Sequence, residues 1–223
     1  MALLVNYIVS MAKILITRPE HDPLTRCLSH WNTKVIENAK SKGNEVIELY
    51  RDRANRKEFE GRIKKVDPSL VLLNGHGNED SVLGHDNEIL VKNGENEALL
   101  KNRITYAVAC SSARALGVTC ADKDTTFIGY DEYFVLNLDS HFLTHPLNDK
   151  RAERFLEPSN KIANSLIKGH TCKEASDSSK QEFRENIKML LKNISGPDDL
   201  EDVKDLFWNM SHQVCLGNQE AKL

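Results

Sequence analysis

The sequence predicts an α/β protein with a mostly parallel sheet flanked by helices. Short apolar runs rich in β-branched or aromatic residues alternate with longer amphipathic runs over most of the first 137 residues. This alternation favours parallel strands joined by crossover helices on both faces of one sheet. Two of the predicted strands also end in small polar motifs, and ligands of open α/β sheets bind beyond the carboxyl ends of strands.

The first half of the chain supplies the sheet. Ala12 to Thr17 predicts the first strand, and an amphipathic helix follows from about Leu24 to Ser41, with Gly43 as its stop. The remaining predicted elements are a strand at 45–50, a helix at 56–65, a strand at 70–73, a hairpin at 81–91, a brief helix at 96–101, a strand at 104–109, a helix at 113–121 and a strand at 126–130.

The C-terminal third predicts helices near 150–168, 173–194 and 198–216, separated at Gly169 and at Gly196-Pro197. The last of them carries an apolar stripe at helical spacing, which we expect to pack on the sheet. The stripe consists of Leu200, Val203, Leu206, Phe207 and Met210. The predicted organisation is therefore an N-terminal extension (1–10), an α/β core (11–149) and a helical segment packed on the core (150–223).

Charge and cysteine usage narrow the class of protein. The formal net charge is −3, with 30 basic and 33 acidic side chains spread along the chain, so no nucleic-acid surface is indicated. Five cysteines without CxxC spacing fit free thiols in a reducing compartment. Residues 1–10 are too short for a membrane span and lack a basic start. We therefore expect a soluble, cytoplasmic protein without a membrane partner.

Two motifs follow predicted buried strands. Asn74-Gly75-His76-Gly77-Asn78 follows the run 70–73, and Cys110-Ser111-Ser112 follows the run 106–109. Strand ends of a parallel sheet share one edge, so His76 and Cys110 are expected to meet there. A thiol and an imidazole in that position suit a nucleophile and its proton acceptor. The backbone amides of Gly77 and Cys110 are the natural oxyanion donors.

Most cysteines and histidines have plainer interpretations. A lone cysteine in an apolar run is usually a small buried hydrophobic residue, and Cys27, Cys120, Cys172 and Cys215 are assigned to that class. His85 lies in a predicted turn. For Cys110, by contrast, the helix predicted to begin after it would favour a thiolate through its positive N-terminal end.

The two motifs resemble those of the caspase-like clan of cysteine peptidases, which includes caspases, metacaspases, legumains, gingipains, separases and the prokaryotic CHAT group. In that clan an apolar strand ends in His-Gly and a later one ends in the nucleophilic cysteine, as 72–77 and 107–112 do here. The resemblance covers about residues 12–137. It implies a three-layer caspase-like fold and a cysteine peptidase with His76 and Cys110 as catalytic residues, and the compact interval between them is closest to the CHAT group.

The resemblance also implies where a substrate pocket would form. It would draw on the loop after the first strand, the neighbours of the nucleophile and the strand that follows. Those places hold Arg18, Glu20 and Asp22, then Asp131 and Glu132. The acidic excess favours a Lys or Arg side chain at the cleavage position, whereas an unpaired Arg18 would favour an acidic one. Ordinary solvated loops account for the same charges equally well.

The resulting hypothesis is a cysteine endopeptidase that acts on a protein or peptide substrate and is regulated by a protein partner or by self-cleavage. The loop 138–149 is the candidate self-cleavage segment. The alternative is a non-enzymatic caspase-like module that binds a protein partner. The sequence contains no GxGxxG, GxxxxGK[ST], GxSxG or HExxH motif, so we expect no nucleotide, metal or other cofactor.

Overall fold

The computed structural model describes residues 11–223, so the predicted extension at 1–10 lies outside the described residues. The strands are β1 (Lys13–Arg18), β2 (Glu45–Tyr50), β3 (Leu70–Asn74), β4 (Ser81–Leu83), β5 (Ile89–Lys92), β6 (Ile104–Val108), β7 (Thr126–Tyr130) and β8 (Gln213–Gly217). Six of them form one sheet in the order β2-β1-β3-β6-β7-β8, in which only β8 is antiparallel to its neighbour, and β4 and β5 form a separate antiparallel hairpin. The helices are α1 (Pro23–Ser41), α2 (Arg56–Val66), α3 (Val118–Cys120), α4 (Lys150–Ile167), α5 (Cys172–Lys192) and α6 (Pro197–His212). The predicted α/β class is confirmed.

Helices cover both faces of the sheet because the central strands are apolar on both sides. Every residue of β3 and β6 is buried. Alternate side chains point to opposite faces, so Leu72 packs towards α1, α4 and α5, while Leu73 packs towards α2, α3 and the hairpin. This burial fixes the register of β3 against β6, with Asn74 opposite Val108 at the carboxyl end.

Helix α1 begins and ends where its sequence dictates. Asp22 caps its N-terminus by accepting a hydrogen bond from the Thr25 backbone N–H, and Pro23 occupies the first turn. Gly43, with φ of 80°, follows its C-terminal end. Trp31 is fully buried on the face that packs against the sheet. The capped end of α1 therefore has a fixed position close to the carboxyl end of β1.

The predicted helix at 198–216 is wrong in its last turn. Helix α6 ends at His212, and residues 213–217 form the edge strand β8, antiparallel to β7. The apolar spacing of Val203, Leu206 and Met210 continues to Val214, so periodicity alone does not reveal the change to a strand. The segment 150–223 thus contributes three helices and the sixth strand of the sheet.

The apolar stripe of α6 does not pack on the sheet, contrary to expectation. Leu206 is fully buried in a cluster with Phe155 of α4 and Phe183 of α5. Leu200 and Phe207 remain 50% and 59% exposed. Helix α6 therefore packs as an outer layer on other helices. Within residues 11–223, no helix combines the length and the apolar character that crossing a bilayer requires.

Candidate active site

His76 lies in a tight loop directly after the central strand β3. The preceding Gly75 has φ of 152°, and a Cβ atom there would lie 2.2 Å from the carbonyl oxygen of Leu83. The hairpin is held against this loop by a hydrogen bond from the Leu83 N–H to the His76 carbonyl oxygen (2.9 Å). Only glycine allows so close an approach. The hairpin therefore fixes the backbone on which His76 is presented.

Cys110 lies in the corresponding loop after β6. Its neighbour Ser111 has φ of 54°, a left-handed conformation that turns the chain sharply away from the strand. The Ser111 N–H donates to the carbonyl oxygen of Glu132, in the loop after β7, at 2.9 Å. Cys110 is thus half-buried at the carboxyl edge of the sheet.

The histidine and cysteine loops touch each other. A Cβ atom on Gly77 would lie 3.0 Å from the carbonyl oxygen of Cys110 and 2.9 Å from the Ala109 side chain, so the two backbones are in close contact. His76 and Cys110 line the same cleft. Arg114 stabilises this edge by pairing with Glu79 (2.7 Å) and Glu132 (2.6 Å). The structure brings the two sequence-predicted residues together.

His76 is held by the carboxylate of Asp22, a residue that the family resemblance placed in the substrate pocket. Its Nε2 lies 2.6 Å from Oδ2 of Asp22, whose Oδ1 accepts the hydrogen bond from the Thr25 N–H at 2.8 Å. Partial burial acts to raise the pKa of Asp22, but the hydrogen bonds from Thr25 and His76 outweigh it and the pKa lies below its ordinary value. Asp22 is therefore an ionised partner that orients the ring, leaving Nδ1 as the free nitrogen.

The Cys110 thiol is partly buried. Burial raises its pKa above the ordinary value, and its Sγ lies 4.0 Å from the carbonyl oxygen of Phe134. The helical run predicted after Cys110 is present as a π-helical turn at 113–117 continued by α3 at 118–120. Its effect on the thiolate stays a prediction.

The other four cysteines are still less acidic. Burial raises the pKa of Cys27, Cys120 and Cys215 to about 12 and that of Cys172 to about 11. Cys27, Cys120 and Cys172 are at most 2% exposed, in line with the buried positions expected of them, whereas Cys215 is only partly buried.

The charges considered for the pocket are engaged elsewhere. Arg18 pairs with Glu48 at 2.7 Å and donates to the Ser29 carbonyl oxygen, while Glu20 is almost fully buried beside Arg51 at 2.8 Å. Asp131 pairs with His212 at 2.8 Å. Glu132 binds Arg114, as described above. None of these four residues, 18, 20, 131 and 132, lines the cleft at Cys110.

Apolar side chains line that cleft instead. The cleft is small, with a volume of about 40 Å³, and no Asp, Glu, Lys or Arg among residues 11–223 contributes to its wall. The residues around His76 and Cys110 are Leu24, Thr25, Leu28, Gly75, Val108, Ala109, Phe134 and Leu136. Most of this wall could not be predicted from sequence patterns. Leu24 and Leu28 come from α1, whereas Phe134 and Leu136 come from an irregular segment after β7.

Helix α6 holds that irregular segment in place. The side chain of Asn209 accepts a hydrogen bond from the Val135 N–H (2.9 Å) and donates one to the Val135 carbonyl oxygen (2.7 Å). Asn209 is fully buried. The residues on either side of Val135, Phe134 and Leu136, are thereby positioned over the cleft.

The expected oxyanion donors, the backbone N–H groups of Gly77 and Cys110, lie in the two loops that follow β3 and β6. Among the described residues, the N–H groups of Gly77 and Cys110 donate a hydrogen bond to no oxygen atom of the protein. Both belong to the two loops that meet at the cleft. Their role as oxyanion donors stays a prediction.

The loop 138–149 is anchored at its ends and exposed in its middle. The Pro146 carbonyl oxygen accepts a hydrogen bond from the Trp31 side chain at 2.9 Å, and buried Asp149 caps α4 while accepting from the Asp139 N–H at 2.9 Å. His141 and Leu143 are exposed between these anchors. Self-cleavage there stays a prediction.

Comparison with known proteins identifies the fold. No family model and no curated protein sequence matches the chain. Among solved structures, the chain is similar to the complex of Porphyromonas gingivalis RgpB pro- and mature domains, with a TM-score of 0.57 and 11% sequence identity. The match covers 95% of this chain and 48% of that one, so this chain spans about half its length. RgpB is a gingipain of the caspase-like clan of cysteine peptidases, and the fold described above is caspase-like.

Proposed function

We propose that the protein is a cysteine endopeptidase of the caspase-like clan, with Cys110 as nucleophile and His76 as its proton acceptor and donor. The observation that carries the proposal is the shared cleft of these two residues at the carboxyl edge of a caspase-like sheet. The compact histidine-to-cysteine interval favours a CHAT-type enzyme within the clan.

The proposed reaction uses groups that the site already contains. The Cys110 thiol transfers its proton to Nδ1 of His76 as its sulfur bonds to the scissile carbonyl carbon, and the N–H groups of Gly77 and Cys110 hold the resulting oxyanion. When the intermediate collapses, the C–N bond breaks and the imidazolium proton passes to the leaving amine. Water then hydrolyses the thioester, releasing a carboxylate and restoring the thiol.

A Cys110 thiol whose pKa is raised by burial is compatible with this sequence of steps. A bound peptide displaces water from the cleft and places its carbonyl carbon against Sγ, so proton transfer to His76 accompanies attack. The same partly buried thiol also suits a non-enzymatic module that binds a partner at this edge. Peptide cleavage that is lost when Cys110 is replaced is expected of the peptidase but not of the binding module, so it distinguishes the two functions.

The cleft indicates the side chain accepted at the cleavage position. A Lys, Arg or Asp side chain that enters this cleft loses its hydration. The wall of leucine, valine and phenylalanine side chains offers no opposite charge in return, so binding such a side chain costs free energy. We therefore propose Leu, Met or Phe at this position, in place of the charged residues considered from sequence. A peptide library digested by the whole chain tests the proposal, and a preference for Lys, Arg or Asp would contradict it.

A charge placed in the wall should change this preference. Leu24 lines the cleft from the first turn of α1 and is 39% exposed, so Leu24→Glu is tolerated by the fold. We expect the ratio of kcat/KM for Leu over Arg substrates to fall by roughly 10-fold or more, because the new carboxylate pairs with the cation. Leu200→Glu, in the first turn of α6 and 50% exposed, is the matched control and should leave the ratio unchanged.

Asp22 is proposed as a positioning residue that acts through His76. Asp22→Asn retains a good N-cap for α1. The asparagine side chain is neutral, however, so it no longer stabilises the His76 imidazolium through Nε2. We expect kcat to fall by roughly 10-fold or more with KM and melting temperature nearly unchanged. A parallel loss of kcat and folded protein would show a structural role instead.

A regulatory protein segment is also part of the proposal. The similar gingipain structure is a complex of pro- and mature domains, which supports control of such an edge by another polypeptide. In this chain the anchored loop 138–149 and a separate partner are the two candidates.

A further inference from the structure

A cluster of imidazole and carboxylate groups lies at the back of His76, on the side away from the nitrogen assigned to catalysis. Nε2 of His76 lies 2.6 Å, and Nε2 of His21 3.3 Å, from the same atom, Oδ2 of Asp22. One ligand atom from each of the three residues lies within 4.8 Å of the other two. His21 and Asp22 come from the loop after β1, so two neighbouring strands build the cluster.

We propose that His21, Asp22 and His76 bind a divalent transition-metal ion of the Zn²⁺ class, and that the bound ion switches the peptidase off. Two imidazoles and one carboxylate, with water in the fourth position, form a well-known zinc ligand set. Ligand atoms about 2.1 Å from a tetrahedral zinc ion are separated from one another by roughly 3.4 Å. The contact of His21 with Asp22, 3.3 Å, is close to that separation, whereas the hydrogen-bonded contact of His76 with Asp22, 2.6 Å, must lengthen to admit the ion.

The ring of His21 is deeply buried beside the carboxylate of Asp22. Its side chain is 90% buried, since only 10% of it is exposed, and its Nδ1 is buried with no hydrogen-bond partner among the described residues. Its Nε2 contacts only oxygen atoms, of Asp22 and Asn87, both at 3.3 Å. The nitrogen that would bind the ion is Nε2, which is already directed at the carboxylate of Asp22, and Nδ1 on the other side of the ring would carry the proton.

The position of the ion explains how it would inhibit. A metal on Nε2 of His76 displaces the hydrogen bond to Asp22 and fixes the ring proton on Nδ1. The ring then cannot accept the proton of the Cys110 thiol. Inhibition therefore requires no contact between the ion and the sulfur. This consequence rests on the proposed peptidase function, whereas metal binding itself does not.

A second group shares His21 and defines the main competing site. His21, His85 and Asp86 also have ligand atoms within 4.8 Å of one another. Asp86 is 82% exposed and 3.8 Å from His85, and Nδ1 of His85 already accepts a hydrogen bond from the Glu20 N–H. The group with His76 has the shorter distances and the more buried carboxylate, so the ion is assigned to that group.

Metal binding is tested directly, without any peptidase assay. Zn²⁺ is titrated into the whole chain in competition with a chromogenic chelator, and Co²⁺ is added as a spectroscopic probe. We expect one tight site, weakened at least 10-fold by His21→Gln and by Asp22→Asn, and unchanged by His141→Gln, which alters an exposed histidine outside the cluster. The Co²⁺ spectrum should lack a thiolate-to-metal charge-transfer band.

Several outcomes overturn the assignment. Unweakened binding in folded His21→Gln and Asp22→Asn variants removes the site. If His85→Gln loses Zn²⁺ binding and His76→Gln retains it, the ion belongs to the competing group. If Cys110→Ala loses Zn²⁺ binding, or if a thiolate band appears, Cys110 is a ligand. If Zn²⁺ binds as expected but no peptide is ever cleaved, the metal site stands and the proposed function fails.

Discussion

Cys110→Ala is expected to abolish peptide cleavage while leaving the protein folded. The Cys110 thiol forms the proposed thioester intermediate, so kcat/KM should fall by roughly 10³-fold or more without it. Cys110 is half-buried in a loop and not in the core, so its loss of volume has little effect on stability. The measurements are cleavage of a peptide with an apolar side chain at the cleavage position and thermal unfolding of the same variant.

The matched control for this substitution is Cys120→Ala. Cys120 is fully buried beneath the sheet, and burial raises its pKa to about 12. Its truncation removes core contacts and lowers the free energy of unfolding by about 1 kcal/mol, but the activity per folded molecule should be retained. Equal activity in wild type and Cys110→Ala would contradict the assignment of the nucleophile.

Gly75→Ala is expected to produce the largest structural effect near the site. A Cβ atom there lies 2.2 Å from a backbone oxygen of the hairpin, and φ of 152° disfavours any L-residue. Either the hairpin or the His76 loop must move, so we expect the free energy of unfolding to fall by about 3 kcal/mol. Activity should fall further than the loss of folded protein explains.

Gly61→Ala separates this effect from a generic response to alanine. Gly61 lies within α2, and a Cβ atom at this position would have no neighbouring atom within 4 Å. Alanine there should therefore raise the free energy of unfolding by about 0.5–1 kcal/mol. Thermal unfolding of both variants measures the difference. A Gly75→Ala protein as stable and as active as wild type would show that the hairpin does not hold the His76 loop.

The sequence was sufficient for the parts of the fold that depend on local patterns. The buried strands β3 and β6 show as short apolar runs ending in glycine or small polar residues. Their adjacency follows from the parallel α/β arrangement, so the meeting of His76 and Cys110 could be anticipated. Strand β8 could not, because its apolar residues continue the helical spacing of α6 and its pairing with β7 is a tertiary contact.

The charged residues around the site show the limit of the same reasoning. A sequence indicates that Arg18, Glu20 and Asp22 follow the first strand, but it does not indicate which of them turns towards His76. Arg18 is held by Glu48 and Glu20 by Arg51, both through chain segments distant in sequence. The N-cap pattern Asp22-Pro23 is a signal that places Asp22 at the start of α1, yet only the packed loops bring it to the imidazole.

The pairing of Cys110 with His76 is tested most directly by labelling with an irreversible peptidyl ketone that carries leucine at the cleavage position. Mass spectrometry then identifies which of the five cysteines is alkylated, in wild type and in His76→Ala. We predict modification of Cys110 alone, at a rate that falls at least 10-fold without His76. Labelling of Cys110 no faster than of the other four cysteines, or at a rate unaffected by His76→Ala, would rule out an activated pair.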